Sequence, residues 1–563
     1  MTSPQLTSYE DRSLYTTWQL SLDQIERENT LSAKLLKLWA YFDRQDVWFE
    51  LLQHGSYELL QHGSSTDNDW MQRLIEDELN FNGAVRVLCN YGLVDPELPF
   101  HDRSGSGGYS MHSCVHSWTA SVLNREWDEG LAKLALICVA SDVPNDNDKD
   151  WWILQRRVLQ HAARHERFIR EGKVKVEGVE WAVHCLGLLC YNQGKLAEAE
   201  AMYTRALQGK EEALGPNHTS TLDTVNNLGI IYRQQGKLAE AEAMYIRALQ
   251  GKEEALGPNH TSTLDTVNNL GILYHQQDKL AEAEAMHIRA LQGKEEALGP
   301  NHTSTLGTVN NLGWLYNQQG KLAEAEAMYT RALQGYEEAL GPNHISTLRT
   351  VRNLGNLYSH QGKLAEAEAM YIRALQGKEE ALGPNHTSTL KTVLHLGNMY
   401  RLQHKLAEAE TMARRALNGY EDALGPKHSS TLQAVNNLGR LFADQGKLAE
   451  AETMYTRTLQ GYESLDSVNV SSYTPALNTI SNLGDLFSKT KQTDKAKAMY
   501  TRALSGFAAV QGPLSDRCQD LERRLKALDV APAESDVPNM GSTETGAGES
   551  KPLVRKLLRK FRR

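Results

Sequence analysis

The residues best suited to chemistry by type and spacing are His112, Cys114 and His116. Two histidines four positions apart lie on one face of a helix, where they can share a metal ion. The third and fourth ligands that such an ion requires are missing nearby in the sequence. The spacing therefore favours a histidine packed in a core over a metal ligand, and we expect no bound metal.

Nucleotide hydrolysis requires a glycine-rich loop whose backbone cradles the phosphate groups. The pattern G-x-x-x-x-G-K-[ST] is missing, because every Gly-Lys pair in the chain is followed by Leu, Glu or Val. The nucleophile motif G-x-S-x-G and the zinc motif H-E-x-x-H are missing as well. We therefore expect no catalytic residues, no cofactor and no enzymatic activity.

The overall charge gives no reason to expect nucleic acid as a partner. The chain of 563 residues has 60 Lys and Arg against 70 Asp and Glu, which is a mildly acidic balance. Its first residues lack the basic start and apolar run of a secretory signal, and no later stretch reaches the roughly 18 apolar residues that span a bilayer. These features predict a cytoplasmic protein.

The elements that position any functional residue follow from an internal repeat. Each unit carries two apolar stripes at helical spacing, separated by Gln-Gly-Lys, and therefore predicts a pair of helices. Units of this kind cover only their neighbours' apolar faces and stack into a solenoid. A Leu-Gly pair marks the units at intervals of 42 residues, with a last interval of 45, and its glycines are Gly187, Gly229, Gly271, Gly313, Gly355, Gly397, Gly439 and Gly484.

Within one unit, two local features call for a structural explanation. Thr261 and Ser262 follow a Gly-Pro helix end, and their hydroxyls are expected to cap the next helix. Gly251 stands inside the second stripe, where it costs about 1 kcal/mol relative to Ala. Its recurrence in other units predicts either close helix packing or an early end of the second helix.

The motifs L-G-x-x-Y, Q-G-K-L-A-E-A-E-x-M-Y-x-R-A-L and A-L-G-P-N-H resemble the tetratricopeptide repeat of kinesin light chains. The resemblance covers residues 177–507, in about eight repeats. It implies an all-α fold, a right-handed tetratricopeptide superhelix or α-solenoid. It also implies that the first helices of the repeats line a concave side that holds a ligand.

The region before the array resembles a second family. Residues 11–25, 35–45 and 109–118 are similar to segments of fungal NB-ARC/TPR receptor-like (NLR or STAND) proteins that follow the nucleotide-binding core and end the winged-helix domain. This implies a mostly helical, winged-helix-like region at 1–120 and a helical connector at 121–176. It further implies that His112 is a vestigial contact to a nucleotide phosphate, although Ser113 replaces the family's aspartate.

Three segments are predicted after the array: a capping helix at 508–530, a disordered linker at 531–550 and a basic amphipathic tail at 551–563. The tail combines an apolar stripe with seven cations, which suits peripheral binding to an anionic membrane or nuclear import. A merely solvated tail is the third interpretation. Its cations are Lys551, Arg555, Lys556, Arg559, Lys560, Arg562 and Arg563.

The differences between the repeats indicate a candidate peptide-binding groove. They concentrate six before, three before, one after and four after each Leu-Gly glycine, and these positions share one helical face. The alternative is an ordinary solvated face that drifts in sequence. The predicted groove residues are Asp223, Asn226, Arg233, Asp265, Asn268, His275, Asn310, Trp314, Asn317, Arg349, Arg352, Asn356, Lys391, Asn398, Arg401, Asn436 and Arg440.

The chemistry of this face predicts the kind of partner. Asparagine amides offer a donor and an acceptor to a peptide backbone, whatever its side chains. Trp314 is the expected aromatic anchor, and the arginines and lysine of the carboxyl half favour acidic or carboxylate-bearing segments. The neighbouring Asn227, Asn269 and Asn311 are expected to form hydrogen bonds between helices instead.

The sequence therefore predicts a non-catalytic scaffold or sensor that binds a partner protein or peptide in the groove. The two resemblances together favour a fragment of a fungal NLR-like protein that lacks its NTPase core. One alternative is a kinesin-light-chain-like cargo adaptor, although residues 1–175 show no sustained heptads. Another is a nucleotide-regulated signalling protein with an incomplete gene model. The oligomeric state stays open.

Overall fold

The computed structural model describes residues 9–61, 69–97, 107–144, 151–465 and 469–530. One π-helical turn, Thr119–Leu123, continues α6. The elements before the repeats are α1 (Tyr9–Glu28), α2 (Thr30–Trp39), α3 (Phe49–Gln61), α4 (Asp69–Ile75), α5 (Glu78–Asn90), β1 (Val94–Pro96), β2 (Tyr109–Met111), α6 (Ser113–Trp118), α7 (Glu129–Ser141) and α8 (Trp151–Arg170).

Eight helical pairs and one further helix follow. The pairs are α9 (Glu180–Asn192) with α10 (Leu196–Leu214), α11 (Thr219–Gln234) with α12 (Leu238–Leu256), α13 (Thr261–Gln276) with α14 (Leu280–Leu298), α15 (Thr303–Gln318) with α16 (Leu322–Leu340), α17 (Ile345–His360) with α18 (Leu364–Leu382), α19 (Thr387–Leu402) with α20 (Leu406–Leu424), α21 (Ser429–Asp444) with α22 (Leu448–Glu463), and α23 (Thr474–Lys489) with α24 (Thr493–Gln511). The last helix, α25 (Asp516–Val530), packs on α24.

This architecture confirms the prediction of an all-α solenoid, since each helix pair packs against the next along the array. Sheet structure in the described residues consists of the antiparallel pair β1–β2, where Val94 is opposite Met111, and an isolated antiparallel bridge between Val47 and Tyr109. The winged-helix assignment and the predicted domain boundaries stay predictions. No helix in the described ranges has the length and apolar content that crossing a membrane requires.

A buried polar cluster fastens α8 to the turn before α3. Arg157 donates from Nε and Nη2 to the two carboxylate oxygens of Asp46, at 3.0 and 2.9 Å, and its guanidinium lies 4.0 Å from the Trp48 ring centroid. The fully buried His161 accepts from the Asp43 N–H and donates to the Asp46 carbonyl, at 3.1 Å each. Burial lowers the pKa of His161. The cluster therefore holds a neutral imidazole and a paired guanidinium inside the core.

The Leu-Gly glycines let the two helices of a repeat approach closely. A Cβ at Gly229 would lie 2.7 Å from the ring of Tyr245, which α12 presents fully buried against α11. The same interlock recurs where Tyr500 covers Gly484. The glycine is thus required by an aromatic ring, which occupies the volume of a side chain.

The glycine inside the second helix of the unit is also explained by a side chain that packs against it. Gly251 lies within the unbroken helix α12, and a Cβ there would meet the methyl groups of the fully buried Leu222 at 2.7 and 2.8 Å. Of the two interpretations drawn from the sequence, the structure therefore shows close packing. The helix-propensity cost of glycine is accepted because Leu222 packs directly on the α12 backbone.

Histidines cap most of the first helices. His260 Nδ1 accepts from the Ser262 N–H at 3.2 Å, while Thr263 Oγ1 donates to the Gly257 carbonyl at 2.9 Å. The prediction that the hydroxyls of Thr261 and Ser262 cap this helix is wrong, because the cap lies one residue earlier and is an imidazole. The same cap is formed by His218, His302, His344, His386 and His428.

Ion pairs join the second helices of successive repeats on the outer side. Arg247 donates to Glu211 at 2.6 Å, and Arg289 donates to Glu253 at 2.6 Å. Both partners are about one-third exposed, so each pair contributes on the order of 0.2–1 kcal/mol.

The array also contacts itself over a long distance. His428 Nε2 donates to the Gly194 carbonyl at 2.8 Å across 234 positions of sequence. A second long-range contact is steric: Gly236 lies so close to Tyr473 that a Cβ at Gly236 would be 2.8 Å from the ring. A cavity of about 580 Å³ adjoins this second contact. Successive turns of the superhelix therefore touch, edge against edge.

The loop between the two helices of a repeat provides a stability prediction. This loop has a glycine with positive φ in most repeats, as at Gly362 (φ 75°), whereas His404 takes the same place with φ 60°. A side chain in this region costs about 1–2 kcal/mol, and part of that is offset because glycine makes the unfolded chain more flexible. We expect His404→Gly to raise the free energy of unfolding by about 0.5 kcal/mol, measured by urea titration. The reciprocal variant Gly362→His should lower it, and a loss in both variants would contradict the explanation.

Candidate peptide-binding groove

The structure places the predicted groove residues on the first helices α11, α13, α15, α17, α19 and α21, but at unequal depth. Four are exposed, namely Asp265, Arg349, Lys391 and Arg440. Ten are half-buried, namely Asp223, Arg233, Asn268, His275, Trp314, Arg352, Asn356, Asn398, Arg401 and Asn436. Three are buried, namely Asn226, Asn310 and Asn317.

The asparagine side chains differ from the prediction that their amides are free to bind a peptide backbone. Asn310 Oδ1 accepts from Asn353 Nδ2 at 3.1 Å and from Thr350 Oγ1 at 3.3 Å, so its acceptor is used by the next repeat. Asn226 Oδ1 likewise accepts from Asn269 Nδ2 at 3.3 Å. A buried amide in such a bond is not free for a peptide backbone. These residues therefore connect adjacent first helices, as was expected only of the neighbouring asparagines.

In the amino half of the groove, each aspartate neutralises a buried lysine. Asp223 lies 2.7 Å from Lys252 Nζ, and Asp265 lies 2.6 Å from Lys294 Nζ. Both lysines are on the second helix of the same repeat and are only 2–3% exposed, whereas the carboxylates are half exposed. The aspartates therefore serve an internal partner as well as facing the groove.

The sign of the charge reverses in the carboxyl half, where Arg349 and Lys391 take the place of the aspartates. The pKa of Arg352 falls to about 10 through burial and then through the Arg349 charge. The pKa of Lys391 falls to about 8, first because of the Arg352 charge. No carboxylate in the described ranges forms an ion pair with these three residues. They are therefore a concentrated and uncompensated positive patch, which we call the basic patch.

Two other predicted cations differ from the basic patch. Arg401 is paired with Asp444 at 2.5 Å and also donates from Nε to Asn398 at 3.0 Å. Arg440 is exposed beside Arg401, in a small cavity of about 160 Å³ that Asp485 also lines. Carboxylates therefore already offset much of the positive charge at this end of the groove.

Trp314 is half-buried and packs against the ring of a neighbouring histidine. Its ring centroid lies 3.9 Å from that of His275, and the two planes are tilted by 49°. Burial lowers the pKa of His275 to about 4, so this partner is a neutral ring at pH 7. Because His275 holds the Trp314 ring in a fixed orientation, Trp314 would offer a bound peptide one aromatic face.

The histidines singled out first do not form a site. His112 is exposed and caps α6, because its Nδ1 accepts from the Cys114 N–H at 3.3 Å. The prediction of a packed core histidine at this position is therefore wrong. His116 is the buried one, donating from Nε2 to the Phe42 carbonyl at 3.1 Å, and burial lowers its pKa to about 4. Among the described residues, no group of three or more His, Cys, Asp or Glu is placed to hold a metal.

Sequence reasoning missed one buried cation beside the basic patch. Lys378 of α18 is only 1% exposed and donates to Thr392 Oγ1 at 3.1 Å. The signal was present in the sequence, because Lys252 and Lys294 occupy the same place in repeats that have an aspartate to match. Comparing the two helices of each repeat shows that Lys378 lacks such an aspartate. The predicted tail, 551–563, lies outside the described residues.

Comparison with protein families gives one consistent result. A family model described as tetratricopeptide repeat matches residues 179–254, 221–296, 262–338, 308–380, 345–422 and 388–464. A second model with the same description matches residues 478–505. The overlapping matches of the first model run from 179 to 464, which is more than half of the chain. No curated protein matches the sequence significantly.

Solved structures similar to the chain include other repeat proteins. One is a putative kinesin light chain with nearly identical TPR-like repeats from Podospora anserina, 21% identical, with a TM-score of 0.31, covering 36% of this chain and 96% of that one. Another is a STAND protein with a tetratricopeptide repeat sensor from Pyrococcus horikoshii, 15% identical, with a TM-score of 0.43, covering 90% of this chain and 66% of that one. A third is BtubC from P. vanneervenii, 18% identical, with a TM-score of 0.32, covering 48% and 98%.

Proposed function

The chain belongs to the tetratricopeptide repeat family, and on this basis we propose that it is a non-catalytic scaffold that binds an acidic segment of a partner protein in the groove of its first helices. Tetratricopeptide repeats imply a protein-interaction scaffold. The groove of this chain adds the chemistry of the partner. Its recognition is centred on the basic patch, with Trp314 as an aromatic contact farther along.

The observation that carries this proposal is the charge of the basic patch. Arg349 and Lys391 are exposed, and no described carboxylate pairs with them or with Arg352. Cations held together in this way repel one another, so an acidic ligand relieves the repulsion as well as forming new ion pairs. The paired aspartates of the amino half do not compete with such a ligand, because lysines already hold them.

A role as a sensor is the finer part of the proposal. One hydrophobic core contains buried side chains from Leu22 through Ala206, so the region before the array packs continuously against the first helical pair, α9 with α10. A partner that displaces this helical pair therefore also strains the amino-terminal helices. This supports a receptor-like protein in which binding to the array is reported to a second region. A kinesin cargo adaptor has no comparable observation in its favour.

The test uses a fluorescein-labelled oligoglutamate peptide, with oligoglutamine as its neutral match, and fluorescence anisotropy as the readout. We expect the acidic peptide to bind, the neutral one to bind much more weakly, and the affinity to fall with added salt. A hydrogen bond to a charged group contributes about 1.5–3 kcal/mol, so Arg349→Glu and Lys391→Glu should each weaken binding about 10-fold or more.

The matched control is Lys427→Glu, which changes charge by the same amount at an exposed turn between repeats. It should leave the affinity within about twofold, as expected of a surface charge outside the groove. Equal losses for Lys427→Glu and Arg349→Glu would show that only net charge matters. Absence of binding to the acidic peptide would refute the proposal itself, and co-purification with a kinesin heavy chain would favour the adaptor instead.

A further inference from the structure

A lysine of the second helix is buried at the same place in several repeats. Lys252 donates to Thr266 Oγ1 at 3.2 Å, and Lys378 donates to Thr392 Oγ1 at 3.1 Å. Each ammonium group therefore reaches across to the first helix of the next repeat. Buried charges of this kind are stable when an opposite charge stands beside them.

Only some of these lysines have that opposite charge. Asp223 supplies it to Lys252 at 2.7 Å. At Lys378 the corresponding residue of the same repeat is Arg349, and no carboxylate in the described part of the chain lies within ion-pair distance of its Nζ. The remaining contact of that nitrogen is the Ser388 carbonyl at 3.4 Å. Lys378 is therefore a buried amino group without a counter-charge.

The surroundings of Lys378 add further positive charge. Burial lowers its pKa well below the usual value, and the charges of Arg352, Lys391 and Arg349 lower it further, in that order. In addition, the Nε atom of Arg352 is buried and lacks a hydrogen-bond partner. Lys378 of α18 reaches Thr392 of α19, next to Lys391. The matching contact of Lys252 with Asp223 places Lys378 beside Arg349 of α17, so that four basic side chains face one region. Two of these, Arg349 and Lys391, are exposed and open it to the groove.

We propose that Lys378, Arg349, Arg352 and Lys391 form a binding site for one compact oxyanion of the phosphate class, carried by a phosphorylated residue of the partner segment. A phosphate monoester has close to two negative charges and three strong acceptor oxygens, which suits several cations at once. A single carboxylate would offset only one of them. The site lies within the proposed groove and deepens the proposed function by naming the group that is recognised there.

Inorganic phosphate is the first probe, because it requires no partner. Thermal unfolding of the full chain is followed with sodium phosphate and with sodium chloride at equal ionic strength. We expect phosphate to raise the Tm by a few degrees above the chloride value, because a ligand that binds only the folded state stabilises it. Equal Tm values in the two salts would overturn the site.

Two variants and one control identify the residues. Arg349→Asp places the carboxylate of the other repeats beside Lys378, so it should raise the Tm in chloride and abolish the response to phosphate. Lys378→Met removes the buried charge and should also abolish that response. Lys252→Met, whose repeat already has its aspartate, should keep the response unchanged. Loss of the response in Lys252→Met, or its persistence in Arg349→Asp, would overturn the assignment.

A pair of peptides separates this inference from the proposed function. An oligoglutamate peptide with one phosphoserine is compared with the same peptide carrying unmodified serine, by anisotropy. We expect the phosphorylated peptide to bind at least about 10-fold more tightly, and Arg349→Asp to remove the difference. Equal binding of both peptides would refute the phosphate site and leave the scaffold standing. Binding of inorganic phosphate without binding of either peptide would refute the scaffold and leave the site.

Discussion

Asp46→Asn is expected to lower the free energy of unfolding of the amino-terminal region by about 3 kcal/mol, at the lower end of the cost of breaking a buried ion pair. The bidentate contact of Asp46 with Arg157 is the reason, because the arginine side chain is only 5% exposed and stays charged when the carboxylate is removed. Asparagine also tolerates the positive φ of 53° at this position, so that the loss reports the charge.

Tryptophan fluorescence during urea unfolding measures this effect locally, since every tryptophan except Trp314 lies between Trp18 and Trp181. The control is Glu26→Gln, which removes the carboxylate of an exposed pair with Lys37 at 3.1 Å. That pair should contribute no more than about 0.5 kcal/mol. Similar losses for Asp46→Asn and Glu26→Gln would mean that the burial of Arg157 does not matter.

Gly229→Ala is expected to destabilise the array by about 2 kcal/mol, although alanine is the better helix former by about 1 kcal/mol. The added methyl group would overlap the ring of Tyr245, which is fully buried. The prediction therefore has the opposite sign to the one that helix propensity gives. Circular dichroism during urea unfolding is the appropriate measurement.

The chain has its own control for this effect. Ala413 replaces the tyrosine that would cover Gly397, and a Cβ at Gly397 meets the Met412 Cβ at 3.0 Å without touching a ring. We expect Gly397→Ala to change stability by less than about 0.5 kcal/mol, because the gain in helix propensity offsets this tight contact. If Gly229→Ala and Gly397→Ala cost the same, the tyrosine is not the cause.

The period of the repeat was sufficient to predict the solenoid, since apolar stripes and Gly-Pro ends define helices without knowledge of their neighbours. The causes of local features were harder to predict. Gly251 is explained by Leu222, which stands 29 positions earlier, and the His260 cap depends on an imidazole nitrogen that propensity does not report. Such features depend on which side chain faces another across a helix pair.

In the groove, too, some features could be predicted from the sequence and others could not. The face of the first helices and its change of charge could be read from the sequence, because both follow from helical spacing along one strip. The depth of each residue could not. Asn310 and Asn317 are buried because neighbouring repeats close over them, and Lys378 became visible only when the two helices of its repeat were seen together. Burial depends on how steeply the array curves, and the repeat motif is compatible with more than one curvature.

The contact of His428 with Gly194 has a consequence for how a guest chain gets in. Where His428 meets Gly194 and Tyr473 meets Gly236, one turn of the superhelix rests on the next, and these two contacts obstruct an extended polypeptide that approaches from that side. We expect a long segment to enter more easily from an end of the array, or after these two contacts open. If binding and release both require that opening, we expect the bound segment to exchange slowly even though each individual contact is weak.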